Sequence, residues 1–300
     1  MHPSPQSNIV YLNGQFISKD EAFISPDDRG YYFADGVYEV IKFYKGHPFC
    51  MEDHLERLRN SLAAVRIDFG PTQEINSICN SLIDANQLQT EHAGIYLQIT
   101  RGVAPRMHRF PNGDIKPSLY IRAFAMPTNR NEILNGIRVI TREDIRWLRC
   151  NIKSIALLPN TLLFQEAAEQ DAGECFLIRN GNYTEATHSN IMVVMHRIVY
   201  THPDSNLILP GITKKTVIGI CRKLGLKIIE RPVMEIETSS FEECFITGTG
   251  SEITPVIQIN DKKVGDGLPG PVTRQLQKAF FEITYRDLAG EEISMKNEML

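Results

Sequence analysis

The stretch Glu143-Asp144-Ile145-Arg146-Trp147-Leu148-Arg149-Cys150-Asn151-Ile152-Lys153-Ser154-Ile155 decides how the rest of the chain is read. A β-rich run with Ile137, Val139 and Ile140 leads into it, and a helical pattern from Leu162 leads out. Lys153 therefore lies in a connector, flanked by Ile152, Ile155, Leu157 and Leu158. A lysine held against an apolar wall loses hydration, which disfavours its ammonium form. The neutral amine is then a nucleophile able to add to an aldehyde. The same pattern suits a surface lysine whose stem lies on apolar neighbours while its charge stays in water. From this stretch alone both readings stand.

The 300 residues are enough for one large domain or two of ordinary size. Apolar and charged fractions are those of a globular protein, and a formal charge of −4 gives no reason to expect nucleic acid or an anionic membrane as partner. The opening Met1-His2-Pro3-Ser4-Pro5-Gln6 lacks the basic and apolar regions of a signal peptide, and no apolar run has the length of a membrane span. Six scattered cysteines form no CxxC pair, which points to reduced core thiols in a cytoplasmic protein. The histidines have no metal-ligand spacing, so no metal is expected.

Along the chain, Ile9 to Ile17 reads as a strand turning at Asn13-Gly14, a strong hairpin signal. A polar, glycine-rich loop from Asp27 to Gly36 delivers the strand Val37 to Tyr44, and Pro48 to Met51 makes a short return strand. Helical spacing follows in Leu55, Leu58, Leu62 and Val65, then in Ile75, Ile78, Cys79, Leu82 and Ile83. Two strands, Gly94 to Thr100 and Ser118 to Phe124, enclose the irregular loop from Arg101 to Pro111, long enough to suggest a functional one. Pro127 to Glu132 is the best linker candidate, which gives a smaller N-terminal α+β domain over 1–126, a linker over 127–134 and a larger domain over 135–300 carrying Lys153. In the second half a helix is expected over Leu162–Ala172 and another through Val217, Ile218, Cys221 and Leu224, ending at Gly225. Strands in hairpins and meanders outnumber helices, which indicates an α+β class in two lobes. No GxGxxG follows a strand, so a Rossmann dinucleotide site is not expected.

Three features suit an anion. Gly211-Ile212-Thr213 precedes a helix and can offer backbone N–H groups at its positive end. Gly248-Thr249-Gly250-Ser251 is a small-residue loop with hydroxyls. Arg57 lies on an amphipathic helix, off the leucine stripe. Each has an ordinary alternative as well: capping, a turn, a solvated arginine. Glu185, in Thr184-Glu185-Ala186-Thr187-His188-Ser189-Asn190, is either exposed or paired with a buried cation such as a protonated ring nitrogen.

Taken together these stretches resemble the class IV pyridoxal-phosphate aminotransferases, and within them the D-amino-acid branch. The resemblance covers nearly the whole chain. It is carried by Asp28-Arg29-Gly30-Tyr31, Asp35 to Val40, Thr100-Arg101-Gly102, Pro105-Arg106-Met107-His108, Asp144 to Ser154, Tyr200 to Pro203 and Ser251 to Ile257. It implies a two-lobed fold-type IV transaminase with pyridoxal 5′-phosphate as cofactor. Lys153 then matches the lysine that holds the cofactor and moves a proton, and Glu185 matches the carboxylate at the pyridine nitrogen. Arg57, Ile212, Thr213 and Thr249 fall on positions that hold the phosphate. Leu209 falls where a side chain packs on the ring, and Ser189 and Asn190 fall beside the cofactor. Tyr38, Arg106 and His108 match a trap for the substrate α-carboxylate, the arginine and histidine reaching over from a second subunit. A homodimer acting on a D-amino acid and a 2-oxo acid follows from the resemblance.

Within the same fold the alternatives are a branched-chain L-amino-acid aminotransferase, an (R)-amine transaminase and an aminodeoxychorismate lyase. A cofactor carrier without turnover would not need both Lys153 and Glu185. Three departures from the D-specific pattern stand out: His188 within a usual serine run, glycines at 248 and 250 where hydroxyls are common, and Pro210 beside Leu209.

Overall fold

The computed structural model describes residues 8–284. The chain divides into two compact units, one ending at Pro127 and joined by Ile152–Leu157, the other formed by Thr128–Asn151 and the residues from Leu158 onward.

The first unit contains β1 (Ile9–Leu12), β2 (Gln15–Ser18), α1 (Arg29–Phe33), β3 (Gly36–Tyr44), β4 (His47–Pro48), α2 (Met51–Ala64), α3 (Glu74–Ala85), β5 (His92–Thr100) and β6 (Ser118–Ala125). Its six strands form one antiparallel sheet in the order β2-β1-β6-β5-β3-β4. Asn13 and Gly14 at positive φ make the β1–β2 turn, as their sequence signal predicts. Leu55, Leu58 and Leu62 of α2 and Ile75, Cys79 and Leu82 of α3 pack with Val37, Ile41, Ile95 and Leu97 of the sheet in one core. The expected loop from Asp27 to Gly36 contains the short helix α1, because Asp28 accepts from the Gly30 N–H and caps its start.

Ile152–Leu157 joins this unit, not the second domain to which the sequence reading assigned Lys153. The Tyr38 N–H donates to Lys153 O, the Ile155 N–H donates to Gly36 O, and Val37 bridges Ser154, so the connector is held at the start of β3. The expected linker over 127–134 holds most of a helix, α4 (Arg130–Asn135), capped by the Asn129 side chain on the Glu132 N–H.

The second unit continues with β7 (Ile137–Glu143), α5 (Leu158–Ala168), β8 (Glu174–Arg179), β9 (Asn182–Ala186), β10 (Asn190–Met195), β11 (Ile198–Thr201), α6 (Ile212–Lys223), β12 (Ile228–Glu230), β13 (Val233–Met234), β14 (Glu243–Gly248), β15 (Glu252–Ile259), β16 (Lys262–Lys263) and α7 (Pro271–Thr284). Its sheet runs β12-β11-β10-β14-β15-β7-β8-β9-β13, with β16 on β15. Among the described residues, parallel pairs occur only at β7 with β8 and β15 and at β11 with β12, so the α+β class holds. Helix α5 starts four residues earlier than expected because Pro159 suits a first helical turn, and Asp171 at positive φ turns the chain after it. After the small-residue turn at 249–251, strand β15 opens at Glu252. Pro255 is tolerated there because pairing with β7 begins only at Val256.

Candidate active site

In the first unit, β3 alternates so that Val37, Glu39 and Ile41 are fully buried, which places a carboxylate in an apolar face. Helix α2 answers it. Its buried polar residues His54, Arg57 and Ser61 run beside the Leu55-Leu58-Leu62 stripe, which is why Arg57 lies off the leucines yet points inward. Arg57 donates from Nε to Glu39 Oε1 at 2.8 Å and from Nη2 to Oε2 at 2.7 Å. His54 Nδ1 lies 2.8 Å from Oε2 and donates to it. Burial opposes ionisation of Glu39, but Arg57, its hydrogen bonds and His54 outweigh it and hold the carboxyl down at about 2. Burial lowers His54, so its neutral form is favoured.

Lys153 stands beside this cluster. Its N–H donates to Ser61 Oγ at 3.2 Å, one helical turn from Arg57, and its Nζ lies 4.3 Å from the centroid of the Tyr38 ring. Tyr38 itself stacks on Tyr96 at 5.8 Å. Lys153, Tyr38 and Arg57 are thus neighbours of one connector, one strand and one helix.

Arg106 and His108 lie elsewhere on this unit. Both are exposed and rest on Phe33, with the Arg106 guanidinium 5.3 Å and the His108 ring 5.4 Å from its centroid. Their loop is anchored firmly. Asp35 receives Arg101 through two hydrogen bonds and Arg29 through a third; Arg29 also donates to Met107 O at 2.7 Å. Asp28 accepts from Thr100 and Ser118, and Arg29 N donates to Gly102 O. The motifs Asp28-Arg29-Gly30 and Thr100-Arg101-Gly102 therefore build the base from which Arg106 and His108 project.

In the second unit, Glu185 on β9 is buried, not exposed. Its Oε1 accepts from Arg146 Nη1, and its Oε2 accepts from Asn190 Nδ2 and the Leu209 N–H, both at 3.0 Å. Burial pushes this carboxyl above the ordinary carboxylate range, against the opposing pull of Arg146. Arg146 is in turn held by Asp144 through Nε and Nη2 at 2.9 Å, and Arg179 takes Asp144 at 3.1 Å. Charges alternate along Arg179, Asp144, Arg146 and Glu185, so each buried ion faces an opposite one. Asn190 also donates to Leu209 O, which ties the strand to the segment before α6.

That segment leads to Gly211, which starts α6 without any side-chain cap; a Cβ there would collide with Asn190 Oδ1. Ile212 and Thr213 form the first turn, buried, and no acidic side chain opposes an anion in it. Thr249 is half-buried in the turn between β14 and β15, flanked by Thr247 and Ser251, whose buried hydroxyl oxygens have no hydrogen-bond partner among the described residues. An uncapped helix start and two orphaned hydroxyls suit a phosphate. Ser189 donates to Glu174, so its hydroxyl serves the protein's own turn.

Sequence reasoning named Glu185 without its holder. Arg146 stood in the quoted run, yet nothing in a lone Asp-Ile-Arg-Trp marks which carboxylate it meets. Glu39, His54, Ser61 and Glu174 were also missed, because their partners lie far away in sequence.

The family model described as amino-transferase class IV matches residues 36–259. The chain is 42% identical over 274 residues to a D-alanine aminotransferase of Staphylococcus haemolyticus, covering 90% of this chain and 96% of that one. It is 41% identical over 271 residues to a D-alanine aminotransferase of Bacillus licheniformis, covering 90% and 95%. Among solved structures it is similar to a branched-chain amino acid aminotransferase of Escherichia coli, with a TM-score of 0.87 at 25% identity over 95% of this chain and 98% of that one. Class IV aminotransferases use pyridoxal 5′-phosphate; within the second unit, the uncapped start of α6 and the hydroxyls of Thr247 and Ser251 fit a phosphate. With the family model spanning most of its length, the chain belongs to the class IV aminotransferases and is a pyridoxal-phosphate-dependent transaminase.

Proposed function

We propose that the protein transfers the amino group of a D-amino acid of the D-alanine or D-glutamate type to a 2-oxo acid such as 2-oxoglutarate or pyruvate. It works in the cytoplasm as a homodimer. The observation that carries the reading is Lys153, whose amine lies against the Tyr38 ring in a unit that also presents Arg57. The identity to D-alanine aminotransferases supports the substrate class, together with Arg106 and His108 on their braced loop.

Pyridoxal phosphate, when bound, supplies an electron sink for the carbanion at the substrate Cα. The chain's residues do the rest. Lys153 holds the aldehyde carbon and then moves the Cα proton as its free amine. Glu185, paired with Arg146, would hold the proton on the ring nitrogen. Arg57, the α6 start with Ile212 and Thr213, and Thr249 hold the phosphate. Leu209 covers the ring, and Ser189 and Asn190 fix the protein groups beside it. Tyr38, with Arg106 and His108 from a second copy, pins the α-carboxylate, which decides the enantiomer whose Cα–H faces Lys153.

The test is an absorbance titration of the holoprotein with D-alanine, D-glutamate, L-leucine and (R)-1-phenylethylamine, each alone. One half-reaction suffices to bleach the yellow band. Bleaching by the D-amino acids alone is the expected result. Bleaching by L-leucine instead would refute the stereochemical assignment, and a protein that never binds the cofactor would refute the whole reading.

A further inference from the structure

Glu174 opens β8 with none of its surface exposed, and neither cofactor nor substrate chemistry has been assigned to it. Thr187, His188 and Ser189, three successive residues of one short turn, all meet its carboxylate. Oε1 accepts from the Thr187 N–H at 3.2 Å and from the Thr187 hydroxyl, and also from the Cys175 N–H at 2.8 Å. Oε2 accepts from the Ser189 hydroxyl at 3.1 Å and faces His188 Nδ1 at 2.8 Å. The turn closes on itself through the Ala186 N–H and Ser189 O at 2.8 Å.

This turn joins Glu185, at the end of β9, to Asn190, at the start of β10. Asn190 is one of the three donors that hold Glu185. The turn also supports the anion side: a Cβ built on Gly248 would lie in ordinary contact with Ser189 Cβ at 3.5 Å and His188 O at 3.6 Å. Helix α5 braces it from outside, with Asn160 donating to Thr187 O at 2.6 Å and Phe164 meeting the His188 ring edge-on at 5.0 Å. Four neutral donors satisfy the lone pairs of Glu174, but a buried carboxylate also needs a cation. His188, about half exposed, places its Nδ1 at 2.8 Å from Oε2, where its protonated form would supply that charge.

We propose that Glu174 and His188 are positioning residues: they fix the 186–189 turn and thereby set how Glu185, Asn190 and the Gly248 loop meet the cofactor. Neither touches the reacting atoms. This inference rests on the transaminase reading above.

The test uses the full-length chain with E174Q, H188L, H188Q and the double variant E174Q/H188L. Three quantities are read: the dissociation constant for pyridoxal phosphate, the visible circular dichroism band of the bound cofactor, and the melting temperature of the apoprotein. E174Q is expected to weaken cofactor binding about tenfold or more and to change the band, and H188L to weaken it several-fold. H188Q, which keeps a donor, should recover part of that loss. The double variant should bind no worse than E174Q alone, since both residues act through one carboxylate. If E174Q does not fold, the half-exposed position 188 carries the comparison through H188L against H188Q. Variants that bind within twofold of wild type with an unchanged band, whatever their melting temperatures, would overturn the inference, as would fully additive losses. A wild-type chain that binds no cofactor would overturn the functional reading and this inference with it.

Discussion

Replacing Arg146 by methionine tests the alternating-charge chain most directly. Asp144 would keep Arg179 at 3.1 Å and the Thr184 hydroxyl at 3.0 Å. Glu185 would keep only the Asn190 amide and the Leu209 N–H, both neutral donors. Removing one partner of a buried pair costs about 3–5 kcal/mol, because the charge left behind has no compensation. At about 2–4 °C per kcal/mol for domains of this size, the apoprotein should melt roughly 6–20 °C lower. Urea unfolding at pH 7.5, followed by the single tryptophan, Trp147, provides the assay. The decisive comparison is R146M with R146M/E185Q. Neutralising the stranded carboxylate should restore about 2 kcal/mol, since replacing a whole buried pair by neutral groups is often harmless. The sign of the pH effect is fixed too. Glu185 is already raised by burial, so the folded state binds its proton more readily than the unfolded state, and the R146M deficit should shrink as pH falls from 8 to 5. A double variant as unstable as R146M, or a deficit indifferent to pH, would refute the electrostatic account.

Three further outcomes follow from the geometry. K153A should leave the fold intact while the single-turnover bleaching rate falls by about 10²–10⁴-fold or more, with partial rescue by added methylamine as the check. E39Q bears on acid stability: a carboxyl held at about 2 against an ordinary 4.5 contributes on the order of 3 kcal/mol above pH 5, and that contribution is lost as pH falls through the folded value. The stability gap between wild type and E39Q should therefore be full at pH 6 and close towards pH 2 in denaturant titrations. G102A should cost about 1–3 kcal/mol, because Gly102 sits at φ +95° and an added Cβ would strike Lys116 O. By loosening the loop of Arg106 and His108 it should raise KM for the amino donor more than it lowers kcat.

What the sequence showed and what it hid divide along one physical line, the range of the interaction. Asn13-Gly14 announces its hairpin because a positive-φ turn depends on two adjacent residues. The leucines of α2 announce a helix because their partners are three and four positions away. The second side of that same helix was harder to read. His54, Arg57 and Ser61 look like a solvated face until β3 is known to carry a buried glutamate on its apolar side. Strand β15 is weakly announced in the sequence because Glu252 and Pro255 are poor strand formers, and the pairing that makes it a strand comes from β14 and from β7 more than a hundred residues earlier. The unit to which the Lys153 connector belongs was hidden for the same reason: it is set by the two backbone hydrogen bonds of the Val37–Ser154 bridge, to Tyr38 and Gly36, and not by position in the chain. A buried charge in particular cannot be read locally, since it is stable only by virtue of a partner that the fold supplies. Arg146 and Glu185, thirty-nine residues apart, meet only once β7, β8 and β9 are assembled. Lys153 stood out by family pattern, but the network that holds Glu185 is a product of the sheet.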